Sequence, residues 1–197
     1  VRYAVERMRG RTTIGRLVSL VDGAPTRRAP PCPVSARCGG CDLDMLPPEE
    51  QRAAKAEVVR HALRLDTPPP IHPSPREAGY RARIKLRLEN GRLGYRRPGS
   101  HDHVPVDLCR IARPELARAH ARLQAFVDTH GHEGIDQVEL RSDGERAVFA
   151  LQSAGPVPRA LREALPALGD VALDGRRLSG DPTLWLSVGD LRLRASP

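Results

Sequence analysis

Four cysteines constrain this chain more than any other residues. Cys32, Cys38 and Cys41 lie in one short stretch, Pro30-Pro31-Cys32-Pro33 leading to Arg37-Cys38-Gly39-Gly40-Cys41, and Cys109 stands far downstream. Four thiolates are the full complement for one tetrahedral metal or one cuboidal iron–sulfur cluster. Structural zinc sites with four cysteines usually arrive as two short-spaced pairs. Here three ligands come from one loop and the fourth from elsewhere, which favours a [4Fe–4S] cluster, leaves zinc second and disulfides or free thiols last. Cys38 and Cys41 are too close together to pair comfortably with much else, and nothing at the N-terminus reads as a signal peptide. Gly39 and Gly40 are expected to take positive φ and to turn their N–H groups toward a negative centre.

The 197 residues have room for one domain and part of another. Hydrophobic residues make up 40% of the chain, and no run approaches the ~18 apolar residues of a membrane span. No membrane partner is expected, and the reading is of a cytoplasmic monomer. Aromatic residues are only 3%, so the core must be built from Leu, Val, Ile and Ala. The net charge is +8 and the sequence pI about 10.1. Lys55 and Lys85 are the only lysines among 32 cationic side chains. An excess of this size points to a polyanionic partner, most often nucleic acid. Both ends read as cut: Val1–Leu20 alternates like the last strands of a small barrel, and the chain stops within a strand-like pattern at Leu191–Pro197.

Along the chain, Arg2–Arg9 and Ile14–Val21 read as strands around Gly10-Arg11. Gly23–Pro33 is a Pro-rich linker. A helix is expected from Pro48 to about Leu65, with Pro48 in its first turn, Glu49 and Glu50 at its positive end, and Ala54, Val58, Ala62 and Leu65 as its apolar stripe. Thr67–Pro75 is a second linker. Residues 81–89 are the clearest strand: Arg81, Arg83, Lys85 and Arg87 alternate with Ala82, Ile84, Leu86 and Leu88, one face cationic and the other oily. Asn90-Gly91 predicts a type I′ turn into a return strand, Arg92–Arg97. Helix 114–129, a hairpin of Asp136–Arg141 with Arg146–Gln152, a short helix at Pro158–Leu168, and strands at Val171–Leu173, Leu184–Val188 and Leu191–Arg194 follow. The fold class is α+β, an antiparallel sheet with flanking helices and an iron–sulfur loop.

The cysteine stretch at 30–41, Gly79-Tyr80-Arg81 with Arg83, and Gly91-Arg92-Leu93-Gly94-Tyr95-Arg96-Arg97 with Ser100-His101 leading to Asp107-Leu108-Cys109 together resemble the bacterial RNA (uracil-5-)-methyltransferases. The resemblance is to the iron–sulfur branch that modifies 23S ribosomal RNA. It implies that residues 1–21 are the tail of an OB-like TRAM barrel and that 22–43 are a linker and the iron–sulfur loop. Residues 44–76 would be a helix and linker packing on a methyltransferase domain, and 77–197 a central α+β RNA-binding domain. Asp42 and Asp44 depart from the family pattern, which has amide side chains after the last loop cysteine.

The activity the resemblance implies is S-adenosylmethionine-dependent methyl transfer to C5 of uracil, through thiolate attack at C6 of a flipped-out base. The glycine-rich cofactor loop, the nucleophilic cysteine and the general-base glutamate of the family find no match here. The chain is therefore expected to hold no catalytic residue and no S-adenosylmethionine site. Its expected roles are a [4Fe–4S] cluster on Cys32, Cys38, Cys41 and Cys109, and an RNA grip by Arg81, Arg83, Lys85, Arg87, Arg96, Arg97 and His101. A solvated sheet face competes with RNA contact as the meaning of those charges. Tyr80 and His101 are candidates for base stacking. Two other classes compete: a stand-alone zinc- or iron–sulfur-containing RNA-binding module without activity, and an electron-transfer protein, against which the basic charge argues.

Overall fold

Ile84, Leu86 and Leu88 must leave water while Arg83, Lys85 and Arg87 must not, and only a strand at the centre of a one-sided sheet satisfies both. The computed structural model, which describes residues 1–196, builds that sheet in the larger of two units, formed by residues 32–42 and 72 onward. Its strands are β3 (Arg83–Glu89), β4 (Arg92–Arg96), β5 (His103–Pro105), β6 (Ile135–Ser142), β7 (Ala147–Ser153), β8 (Val171–Leu173) and β9 (Arg176–Ser179). They run in the order β5-β4-β3-β6-β7-β8-β9. All neighbours are antiparallel except β7 and β8, which pair in parallel. That parallel step needs a crossover, supplied by α3 (Arg159–Ala164) and the 3₁₀ turn Leu165–Leu168. Strand β9 and the three-residue β5 are too short to carry a periodic signal in the sequence.

Helix α2 (Pro114–His130) covers the oily face, burying Leu116, Ala119, Leu123, Phe126 and Val127 against Leu86, Leu93, Val138, Leu140 and Phe149. Between β3 and β4, Asn90 (φ 51°) and Gly91 (φ 73°) are both left-handed, as a type I′ turn requires. They set Leu88 opposite Leu93 and Glu89 opposite Arg92. The alternation holds through β3, but Arg81 lies before the strand, in an isolated parallel bridge to Ala112. A separate hairpin, β10 (Leu184–Val188) with β11 (Leu191–Ala195), completes this unit.

The smaller unit comprises residues 1–31 and 43–71. Its hairpin, β1 (Arg2–Arg9) with β2 (Thr12–Ser19), is exposed almost throughout. Helix α1 (Pro48–Leu63) starts on Pro48 with Glu49 and Glu50 in its first turn and ends at Arg64 in the left-handed region. The expected apolar stripe is not its buried side. Val58 is 68% exposed and Ala62 and Leu65 also face solvent, while Ala56 is the one buried residue. A helix can carry its apolar residues outward where its own unit offers too little surface to cover them.

Candidate cysteine centre and nucleic-acid interface

The loop carrying Cys32, Cys38 and Cys41 belongs to the larger unit and is held by its own backbone. The Cys32 carbonyl accepts from the Ser35 N–H at 3.1 Å. The Val34 carbonyl accepts from Arg37 at 2.9 Å and Cys38 at 2.8 Å. The Gly39 N–H then donates to the Arg96 carbonyl at 3.3 Å, which ties the loop to β4. A Cβ on Gly39 would lie 3.3 Å from that oxygen and from the Pro98 nitrogen. Gly39 and Gly40 do not adopt the expected positive φ. Gly39 serves instead to let two backbones approach.

Cys109 arrives by a different route. Its carbonyl accepts from Ala112 at 3.0 Å, and Gly79 and Arg81 donate to the carbonyls of Arg110 and Ile111 at 3.1 and 2.8 Å. This pairing brings Arg81 to the cysteines. All four cysteines are half-buried and none is in a disulfide. Burial pushes the Cys38 thiol up, and the charges of Cys109 and Cys32 add to the rise. The Gly40 N–H and the Arg81 guanidinium act the other way. Cys38 therefore shares its surroundings with two other sulfurs, one backbone donor and one cation. Among the described residues, no group of three or more His, Cys, Asp or Glu side chains is gathered closely enough to hold a metal ion as it stands.

Tyr95 closes the back of this neighbourhood. Burial drives its hydroxyl well above the usual phenol range, with the Cys109 sulfur next in effect and Cys38 contributing. The hydroxyl is buried beside the Cys109 sulfur, without a hydrogen bond of ordinary geometry. A hydroxyl, a backbone N–H and a guanidinium near cysteine sulfurs are the kinds of group that can donate to a sulfur-rich anionic centre. The donor set suits an iron–sulfur cluster in kind, while the sulfurs as they stand are not gathered into a metal-holding group. Sequence reasoning missed Tyr95, whose alternation with Arg96 marks it only as a core residue.

The cationic face differs from the expected bare row. Arg83 donates to both oxygens of Glu139, at 2.6 and 2.7 Å, and Arg141 donates to the same carboxylate. Arg87 pairs with Asp136 at 2.6 Å, Arg96 with Glu89 at 2.5 Å, and Arg97 with Asp102 at 3.8 Å. Burial opposes the charged form of Glu139, but hydrogen bonds from Arg83 and Arg141 and their charges outweigh it and hold the carboxyl below its usual range. Arg83 is thus exposed yet tied to a buried carboxylate. Lys85 is exposed and has no ion pair among the described residues. His101 is exposed at the tip joining β4 and β5, where its carbonyl accepts from Arg96. Tyr80 is 46% exposed.

Two glycines of the hairpin have separate causes. Gly91 supplies the turn, whereas Gly94 lies beneath β5. A Cβ there would come within 2.2 Å of the Val104 carbonyl and 2.5 Å of His103 Nε2. That Nε2 is itself buried without a partner.

No protein-family model matches the chain. Among curated proteins it is 33% identical, over 131 residues, to an uncharacterized RNA methyltransferase of Bdellovibrio bacteriovorus, covering 64% of this chain and 33% of that protein. It is also 33% identical, over 201 aligned positions, to the 23S rRNA (uracil(1939)-C(5))-methyltransferase RlmD of Chromohalobacter salexigens, covering 94% of this chain and 42% of that one. The chain thus spans less than half the length of either relative. Its fold is similar to that of the Pyrococcus abyssi tRNA (uracil-54, C5)-methyltransferase, solved with S-adenosyl-L-homocysteine. The TM-score is 0.74 at 19% identity, covering 98% of this chain and 51% of that one.

Proposed function

We propose that this chain is the RNA-gripping, cluster-bearing portion of an S-adenosylmethionine-dependent RNA uracil-C5 methyltransferase acting on 23S ribosomal RNA. The observation that carries the reading is the similarity to the RlmD protein across 94% of the chain. The fold of the tRNA-modifying enzyme supports it independently of sequence.

In this reading Cys32, Cys38, Cys41 and Cys109 hold a [4Fe–4S] cluster. The Gly40 N–H, Arg81 and Tyr95 surround its sulfurs with donors and positive charge. Cys32, Cys38 and Cys41 would hold the cluster from the loop at 32–41 and Cys109 from the turn at 109–112, and its contribution would be structural cross-linking. Residues 1–21 serve as barrel tail, 22–43 as linker and loop, 44–76 as a helix and linker against the methyltransferase domain, and 77–197 as the RNA-binding domain. The exposed Val58 and Leu63 on α1 suit that docking role. Arg81, Arg83, Lys85, Arg87, Arg96, Arg97 and His101 face the RNA. Cofactor binding, nucleophile and general base belong to the rest of the enzyme, a cytoplasmic monomer. Among the described residues no helix is long and apolar enough to cross a membrane.

Anaerobic reconstitution tests the cysteine centre. We expect stoichiometric iron and sulfide with broad visible absorption, lost in Cys109→Ser. Stoichiometric zinc without iron would overturn the cluster. Incubation with labelled S-adenosylmethionine and ribosomal RNA should leave the RNA unlabelled, and label on uracil would refute the assignment of catalysis to residues elsewhere.

A further inference from the structure

The chain has one tryptophan, and it is at the surface. Both phenylalanines are buried, Phe126 at 8% and Phe149 at 1% exposure, while Trp185 is 46% exposed on β10. In so aromatic-poor a protein, an indole left in water calls for a partner. The strand register supplies its surroundings. Trp185 is opposite Arg194 and Ser187 is opposite Arg192, so these four side chains share one face of the hairpin. The Arg192 guanidinium carbon lies 5.1 Å from the centre of the indole ring, a cation–π stack. Arg192 and Arg194 are exposed, and neither is in an ion pair among the described residues. On the opposite face, Leu184 is 1% exposed, while Leu193 and Leu191 are 49% and 64% exposed.

The hairpin is fixed to the sheet at both of its ends. The Arg146 guanidinium donates to the carbonyls of Asp181 at 2.8 Å and Thr183 at 2.5 Å, just before β10. Arg141 donates to the Ser196 carbonyl, just after β11. Arg141 stands directly opposite Arg83 in the register of β6 and β3. The C-terminal end of the hairpin is therefore tied through Arg141 to the border of the cationic sheet.

We propose that Trp185, flanked by Arg192 and Arg194, is a stacking platform for an unpaired base of RNA, with the two arginines on the neighbouring phosphates. An aromatic plane accepts any base, and flanking cations hold a strand in place beside it, which is the common construction of single-strand sites. A protein partner would meet two unpaired guanidiniums here, whereas a polyanion neutralises them. The platform rests on the reading of this chain as RNA-binding and adds to it a contact outside the β3 row.

Because Trp185 is the sole tryptophan, its emission reports this face alone. The full 197-residue chain, kept anaerobic, is titrated with fluorescein-labelled single-stranded oligouridylate for anisotropy and with the unlabelled oligomer for emission. Emission should be quenched in step with binding. Inorganic polyphosphate and a blunt RNA duplex should bind without that quenching. Trp185→Ala should weaken single-strand binding by about 5- to 100-fold, and Trp185→Phe by less than about threefold, since a smaller ring still stacks. Arg192→Ala with Arg194→Ala should flatten the salt dependence while leaving residual quenching. If Trp185→Ala fails to fold, quenching in the unmodified chain decides. RNA binding with unchanged emission and no loss in Trp185→Ala would overturn the platform and leave the RNA reading standing, with the face then suited to protein contact. Quenching by polyphosphate would make it a phosphate surface only. No RNA binding at all would overturn both.

Discussion

Gly91 and Gly94 sit in one hairpin and answer different demands. The first is held by its dihedral, φ 73°, and the second by the backbone of β5 lying where a side chain would go. Replacing Gly91 with Ala should cost about 1–2 kcal/mol, the usual penalty for a left-handed non-glycine residue. Gly94→Ala must displace a carbonyl and should cost about 1–3 kcal/mol or more by urea unfolding. It should also loosen the pairing that carries His103. Asn90-Gly91 was legible because turn chemistry is local. The need for Gly94 was not, since it depends on a strand too short to leave a periodic signal. Glu139 is a second case. Its alternation with Val138 and Leu140 reads as an outward charge, but two arginines draw it under the surface. Its folded-state pKa is depressed, so its stabilisation is complete above the unfolded value of about 4.3 and is lost as pH falls through the lower folded value. Urea midpoints should drop below pH about 4.3 in the native chain, and Glu139→Gln should remove that part of the fall.

Among the elements, long amphipathic ones were readable and short ones were not. Strand β3 and helix α2 carry their own periodicity, the β6–β7 hairpin is marked by its Asp143-Gly144 turn, and each lies close to where those signals put it. The parallel pairing of β7 with β8 carries no local mark, because it depends on how α3 and its 3₁₀ extension return the chain. Helix α1 lies where its signals put it, but its apolar residues face solvent. Its apolar spacing is genuine, but spacing says which residues share a face and not what covers that face. Leu86, 1% exposed in the sheet core, and Val58, 68% exposed on α1, make the contrast measurable. Leu86→Ala should cost about 2–5 kcal/mol in urea unfolding. Val58→Ala should fall within about 0.5 kcal/mol, as expected for a surface position. Equal losses would mean that α1 buries its apolar face after all.

At the scale of the molecule the net charge of +8 predicts a polyanion, but its distribution decides which residues meet it. Arg83 is a poor probe of RNA contact. Removing it leaves the Glu139 carboxylate with one partner instead of two, so stability and binding would change together. Arg81 is compromised too, because its charge acts on Cys38. Lys85 has no ion pair among the described residues, and the Arg97–Asp102 contact is long and exposed, of the kind that contributes little. Lys85→Ala with Arg97→Ala should therefore leave the urea midpoint unchanged while weakening RNA. For a single strand, each lost phosphate contact lowers the slope of log affinity against log salt by about 0.7, so the pair should flatten it by about 1.4. Anisotropy titrations of labelled oligouridylate at several salt concentrations measure that slope directly. A slope unchanged in this double variant, with affinity unchanged as well, would mean that the face around β3 is only solvated. Phosphate recognition would then fall to Arg192 and Arg194 on the C-terminal hairpin.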